Sequence, residues 1–148
     1  RSTLFPYTTL FRSLRYTQPV YRLYNRWSGE HLFTTDKSEY DSLARVGWKQ
    51  ENVGWNAPNF SSTPVYRLYN RWSGDHLYTT DRSEYDQLAR IGWTQEGVQL
   101  YSGGSRAIYR LFNPYVKVGT HLFTTDANEY ERLARMGWRK EGKQLYGM

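Results

Sequence analysis

The run His31, Leu32, Phe33, Thr34, Thr35, Asp36 returns as His76, Leu77, Tyr78, Thr79, Thr80, Asp81 and again as His121, Leu122, Phe123, Thr124, Thr125, Asp126. A fixed step of 45 residues makes this chain three copies of one supersecondary unit, and every other feature has to be read modulo that step. The copies also share Tyr40, Tyr85 and Tyr130, the Leu-Ala-Arg triplets that start at Leu43, Leu88 and Leu133, and a Gly-Trp pair at Gly47, Gly92 and Gly137. The units fall at approximately 19–63, 64–106 and 107–148.

Each unit parses in the same way. Residues 20–25 are rich in β-formers and set Tyr21 and Leu23 on one face, Arg22 and Tyr24 on the other, which predicts a strand. Residues 26–30 carry the turn signal Ser28-Gly29, and 31–35 are again β-prone, so the two segments predict a hairpin with a five-residue loop. Asp36 with Glu39 three residues on predicts a capping pair, and Thr34 and Thr35 read as strand residues leading into it. Tyr40, Leu43, Ala44 and Gly47 then line one face of a short helix that stops at the glycine. From Trp48 to Trp55 the pair Glu51-Asn52, matched by Glu96-Gly97 and Glu141-Gly142, predicts a tight two-residue hairpin. The sum is a mainly β fold with one short helix per repeat. Its twelve short strands predict a closed pseudo-threefold arrangement, either a β-trefoil-like barrel or three propeller-like blades. Linkers 56–63 and 102–106 are short and polar, so the units are expected to form one domain over residues 14–148.

Residues 3–13 stand apart. They resemble, residue for residue, the translation of a common short-read sequencing adapter, so 1–13 is read as a non-native segment and excluded from fold reasoning. The chain has no initiator Met and is expected to be a fragment of a longer protein. Setting aside Arg1 and Arg12 takes Lys plus Arg from 20 to 18 against 14 acids, so the net charge falls from +6 to +4. That is too mild to imply nucleic acid, even though Arg22, Arg67 and Arg110 lie between aromatics where they could stack on rings such as Tyr24. With no Cys, disulfides, thiolate zinc sites and Cys nucleophiles drop out together. No apolar run reaches the roughly 18 residues of a membrane span.

Aromatic residues are abundant, with 14 Tyr, 6 Trp and 6 Phe, and most are expected in the core. Rings in turns are the ones to read functionally. The first hairpin loop brings Asn25, Arg26, Trp27, Glu30 and His31 together, and the second repeats it as Asn70, Arg71, Trp72, Asp75 and His76. A Trp platform beside an amide, a guanidinium and a carboxylate suits a sugar ring, whose C–H face stacks on aromatics and whose hydroxyls need fixed polar partners. The alternative is that Trp27 folds back over Leu23 as a cover. The third loop, with Asn113, Tyr115 and His121, is two residues longer, has no Trp and has no acid before its His, so its site is expected to be weakened or altered. That leaves two good sites, and two weak sites in one rigid domain would hold a polymeric ligand by avidity. The three histidines share one phase, and a three-nitrogen metal site on the axis is conceivable, but no patterned carboxylate stands behind them. Structural or ligand-contacting roles are expected instead, with no metal or other cofactor.

The whole pattern, Tyr-Arg-Leu-(Tyr/Phe)-Asn, then His-Leu-(Phe/Tyr)-Thr-Thr-Asp, Glu-Tyr, Leu-Ala and Gly-Trp, resembles a tandem-repeat family of unknown function found as an accessory module on secreted bacterial and fungal hydrolases. The resemblance implies an extracellular setting, a covalently attached catalytic domain and a glycan or polysaccharide as partner. It supplies no site residues. No Gly-x-Ser-x-Gly elbow, phosphate loop or paired-His zinc helix is present, and Glu30 with Glu51 would need a deep cleft to act as a glycosidase pair. The expected function is a non-catalytic, lectin-like carbohydrate-binding module, with a structural or protein-interaction repeat module as the alternative.

Overall fold

Alternation along the first strand decides what each side of the sheet meets. Leu23 and Tyr21 turn toward Tyr40, Leu43 and Trp48, whereas Val20 turns toward Phe33 and Trp55. The computed structural model describes residues 17–148, so the adapter-like segment 1–13 lies outside the described residues. Unit one is β1 (Thr17–Tyr24), β2 (His31–Thr34), α1 (Lys37–Arg45) and β3 (Lys49–Pro58). Unit two repeats it as β4 (Thr63–Tyr69), β5 (His76–Thr79), α2 (Arg82–Arg90) and β6 (Thr94–Ser102). Unit three is β7 (Arg106–Phe112), β8 (His121–Thr124), α3 (Ala127–Arg135) and β9 (Arg139–Gly147).

Three antiparallel sheets result, in the orders β2-β1-β3, β5-β4-β6 and β8-β7-β9. The described residues thus form nine strands rather than the expected twelve, because the segment after each helix is one long strand and not a hairpin. Leu23 pairs with Gln50 but Tyr21 pairs with Val53, so an extra residue is taken up between them. Asn52 sits there at φ 69°, as Gly97 and Gly142 do at 82° and 78°. The positive φ that reads as a turn in sequence makes a β-bulge in the fold. Each bulge is docked on its helix, since the backbone N–H of Asn52, Gly97 and Gly142 donates to the hydroxyl of Tyr40, Tyr85 and Tyr130 at 3.1, 2.9 and 3.1 Å. Among the described residues strands pair only within their own unit, and no closed barrel forms.

The threefold arrangement is centred on three rings from the short second strands. Phe33, Tyr78 and Phe123 meet edge to face with centroids 5.8, 5.8 and 5.9 Å apart, the geometry that aromatic quadrupoles favour. Val20, Trp55, Val65, Leu100, Ile108 and Leu145 are buried around them. On the outer face each helix stacks a tyrosine on its sheet, as Tyr40 does on Tyr21 at 4.4 Å. The helix start follows the predicted Asp: Asp36 accepts from the backbone N–H of Ser38 and Glu39. Glu39 does not complete a capping box, however. Thr34 accepts from the Asp36 N–H at 3.0 Å in its place, which releases Glu39 to reach the next unit.

Candidate functional site

In every unit the hairpin loop begins with an asparagine whose side chain is already committed. Asn25 Oδ1 accepts from the backbone N–H of Trp27 at 2.9 Å and of Ser28 at 3.2 Å, Asn70 does the same for Trp72 and Ser73, and Asn113 accepts from Tyr115 at 3.0 Å. This Asx turn raises the ring two residues on. Trp27, Trp72 and Tyr115 are 67%, 66% and 77% exposed, so the alternative of a ring folded over Leu23 does not hold. Each ring instead leans against the glycine after its own helix, where a Cβ on Gly47 would lie 2.6 Å from the Trp27 indole and one on Gly137 2.9 Å from Tyr115. Arg26 and Arg71 place their guanidinium 4.8 Å from the indole centroids of Trp27 and Trp72. The longer third loop therefore keeps an aromatic on the equivalent turn, although the sequence shows no Trp there.

The carboxylates and histidines of the loops face inward. Glu30 is buried and joins unit one to unit two, its Oε2 lying 2.8 Å from the His76 N–H and 2.7 Å from the His76 Nδ1. Asp75, also buried, joins unit two to unit three by accepting from the Gly119 N–H at 3.1 Å and the Thr120 hydroxyl at 2.8 Å. Thr120 in turn lies 3.1 Å from His121 Nδ1. No acid follows in unit three, and His31 Nδ1 is left buried without a partner. Burial and then the neighbouring Arg22 pull His31 down to about 4, and burial followed by Arg110 lowers His121. The Nε2 atoms of His31, His76 and His121 point to Glu51, Glu96 and Glu141 at 3.6, 3.8 and 3.6 Å, each within its own sheet. Among the described residues no group of three or more His, Asp or Glu could hold a metal ion.

A further polar cluster stands at each unit boundary, and sequence reasoning passed over it. Arg22 bonds Glu51 through Nε at 2.7 Å and Glu129 of unit three through both Nη atoms at 3.1 and 3.0 Å. Arg67 repeats this with Glu96 at 2.6 Å and with Glu39 of unit one at 3.2 and 3.0 Å. These arginines are therefore ion-paired rather than stacked on rings. Burial alone would raise Glu39 and Glu129, but the hydrogen bonds from Arg67 and Arg22 outweigh it and hold both below the usual carboxylate range. The available signal was the recurrence of one Arg per first strand and one Glu per first helical turn at the same phase. Clefts open beside two of the boundaries. One of about 300 Å³ lies between units three and one, by Arg22, Thr124 and Glu129, and one of about 230 Å³ between units two and three, by Thr79, Glu84 and Arg110.

No described helix is long and apolar enough to cross a membrane. A family model described as a domain of unknown function (DUF5648) matches residues 19–148. No curated protein and no solved structure matches the chain.

Proposed function

This chain belongs to the DUF5648 family over residues 19–148, and from that premise we propose that it is a non-catalytic carbohydrate-binding module that holds an attached secreted hydrolase on polysaccharide or cell wall. One observation carries the reading: three exposed rings, Trp27, Trp72 and Tyr115, stand in the same pose on three Asx turns. Two of them have a guanidinium alongside, so a flat apolar surface and hydrogen-bond donors are presented together. Rings held by backbone bonds lose little freedom when a sugar stacks on them, and three weak contacts on one rigid body add through effective concentration. The buried Glu30 and Asp75 are engaged with the next unit, and the half-buried histidines face the glutamates of their own sheets, so these groups stand apart from the ligand-stacking rings.

The experiment is retention on insoluble polysaccharides together with a glycan array. Trp27→Ala, Trp72→Ala and Tyr115→Ala should each lower retention, and the triple substitution should abolish it while the domain stays folded. A blank array with no retention on any polysaccharide would sink the proposal. A second reading, a protein-interaction module, draws on Val46, Ile91 and Met136, which are exposed just before the glycines under the three rings and widen each platform with apolar surface.

A further inference from the structure

The three boundaries carry the same charge cluster, and one of them is open. Arg22 and Arg67 give both Nη groups to Glu129 and Glu39, respectively. Arg110 keeps only the Nε contact, to Glu141 at 2.6 Å. Among the described residues its Nη groups make no hydrogen bond or ion pair, and neither does the carboxylate of Glu84, the counterpart of Glu39 and Glu129. Both side chains line the cleft of about 230 Å³ between units two and three, with Thr79, Asp81 and Gln144. The Arg110 side chain is only 18% exposed. Its Nη groups keep contact with the water of the cleft, so a ligand can take the place of that water without breaking a bond of the fold.

The cleft states what that ligand must be. One cation, Arg110, stands against Glu84, Glu141 and Asp81, so phosphate, sulfate and carboxylate ligands meet excess negative charge. The unpaired groups are a planar donor and an acceptor, which a neutral vicinal diol satisfies at once by accepting from the guanidinium and donating to the carboxylate. At about 230 Å³ the space lies below the roughly 300–1,000 Å³ of sites for larger ligands, which points to one ring rather than a run of them. We propose that the cleft between units two and three is a binding site for a single neutral sugar ring, held through vicinal hydroxyls by Arg110 and Glu84. The site deepens the carbohydrate reading above and rests on it, but it is separate from the three loop rings.

The test is amide-resolved NMR titration of the isotopically labelled chain with the methyl glycosides of glucose, galactose, mannose and N-acetylglucosamine, and with glucuronate as the charged comparison. The expected result is that at least one neutral glycoside shifts amides around Glu84, Arg110 and Gln144, while glucuronate does not. Glu84→Gln and Arg110→Gln should weaken that binding about 10- to 100-fold, the usual effect of losing a hydrogen bond to a charged group. Because the Glu84 carboxylate makes no hydrogen bond or ion pair among the described residues and its backbone N–H keeps the bond to Asp81, Glu84→Gln should leave the melting temperature nearly unchanged, which keeps the result readable if Arg110→Gln destabilises the domain. The Trp27, Trp72 and Tyr115 triple alanine variant should still bind the glycoside. Shifts confined to the loops, binding indifferent to Glu84→Gln, or tighter binding of glucuronate would overturn the cleft site. If polysaccharide retention persists in that case, the loop platforms stand; if it too is absent, both proposals fall.

Discussion

Glu30 and His76 are joined twice, by the backbone N–H of His76 at 2.8 Å and by its ring Nδ1 at 2.7 Å, both on Glu30 Oε2. The carboxylate belongs to unit one and both nitrogens to unit two, so this buried side chain ties the two sheets together beside the Arg67–Glu39 and Tyr78–Phe33 bonds. Removing the Glu30 side chain leaves the His76 N–H only its second acceptor, Asp75 Oδ1 at 3.1 Å, and leaves the His76 Nδ1 without its partner. Glu30→Ala should destabilise the domain by about 2–4 kcal/mol, and Glu30→Gln, which keeps one acceptor, by about half that. Urea denaturation measures both. An effect no larger than that of Glu131→Ala, at an exposed pair with Lys140, would show that the bridge contributes nothing.

Tyr78 holds the position that Phe33 and Phe123 hold in the other units, and its hydroxyl is what differs. That hydroxyl donates to the Phe33 carbonyl at 2.6 Å and accepts from the Phe33 N–H at 2.8 Å. It satisfies two backbone groups on the outer side of β2, a strand at the edge of its sheet. The ring itself fits as Phe in two of three units, so Tyr78→Phe isolates the hydrogen bonds from the packing. Its expected cost is about 1–3 kcal/mol, read from thermal or urea unfolding. A neutral substitution would mean that water replaces the hydroxyl at the axis.

Much of this fold could be read because three copies repeat each signal. Tyr21 and Leu23 against Arg22 and Tyr24 gave the faces of β1, and Asp36 and Gly47 bracketed the helix. What escaped were relations between units. Glu39 looks like a local capping residue and is spent on Arg67, 28 residues away, because Thr34 has already satisfied the Asp36 N–H. Glu30 and Asp75 look like exposed loop acids, and nothing in a single unit says that the next unit will cover them. Asn52 was misread for a local reason: positive φ serves a turn and a bulge alike, and only the partner strand tells them apart. Of the loop residues, the exposed rings were legible, but the likeness of Tyr115 to Trp27 was hidden by the longer loop behind it.

The bulge itself predicts an asymmetric pair of substitutions. Gly97 adopts φ 82° and Asn52 adopts 69° at the same place in their strands. A non-glycine residue in this region costs roughly 1–2 kcal/mol, with asparagine the best tolerated. Gly97→Ala should therefore destabilise by about 1–2 kcal/mol, while Asn52→Gly should be neutral or slightly stabilising. Thermal unfolding of the two variants decides the matter. Equal losses would point to the Asn52 side chain itself, and not its backbone, as the stabilising element.

Acid should weaken this domain in two steps, and the first belongs to His31. Its ring lies among Arg22 from β1, Glu51 from β3 and Glu129 from α3, and burial with Arg22 pulls it down to about 4. An unfolded chain takes up the proton below about 6.5, whereas the folded one refuses it until about 4. Between those values the unfolded state binds more protons, so stability falls as pH falls, by at most about 3 kcal/mol. His121, lowered by burial and then Arg110, works in the same direction. Glu39 and Glu129, held below their ordinary value by Arg67 and Arg22, act in the opposite charge sense: their stabilisation is full above about 4.5 and is lost only as pH falls further. Urea midpoints across this range should slope downward from about pH 6.5. In His31→Gln, which cannot titrate, that upper slope should shrink while the loss below about pH 4.5 remains. If His31→Gln retains the full upper slope, His31 is not the group that makes the fold sensitive to mild acid.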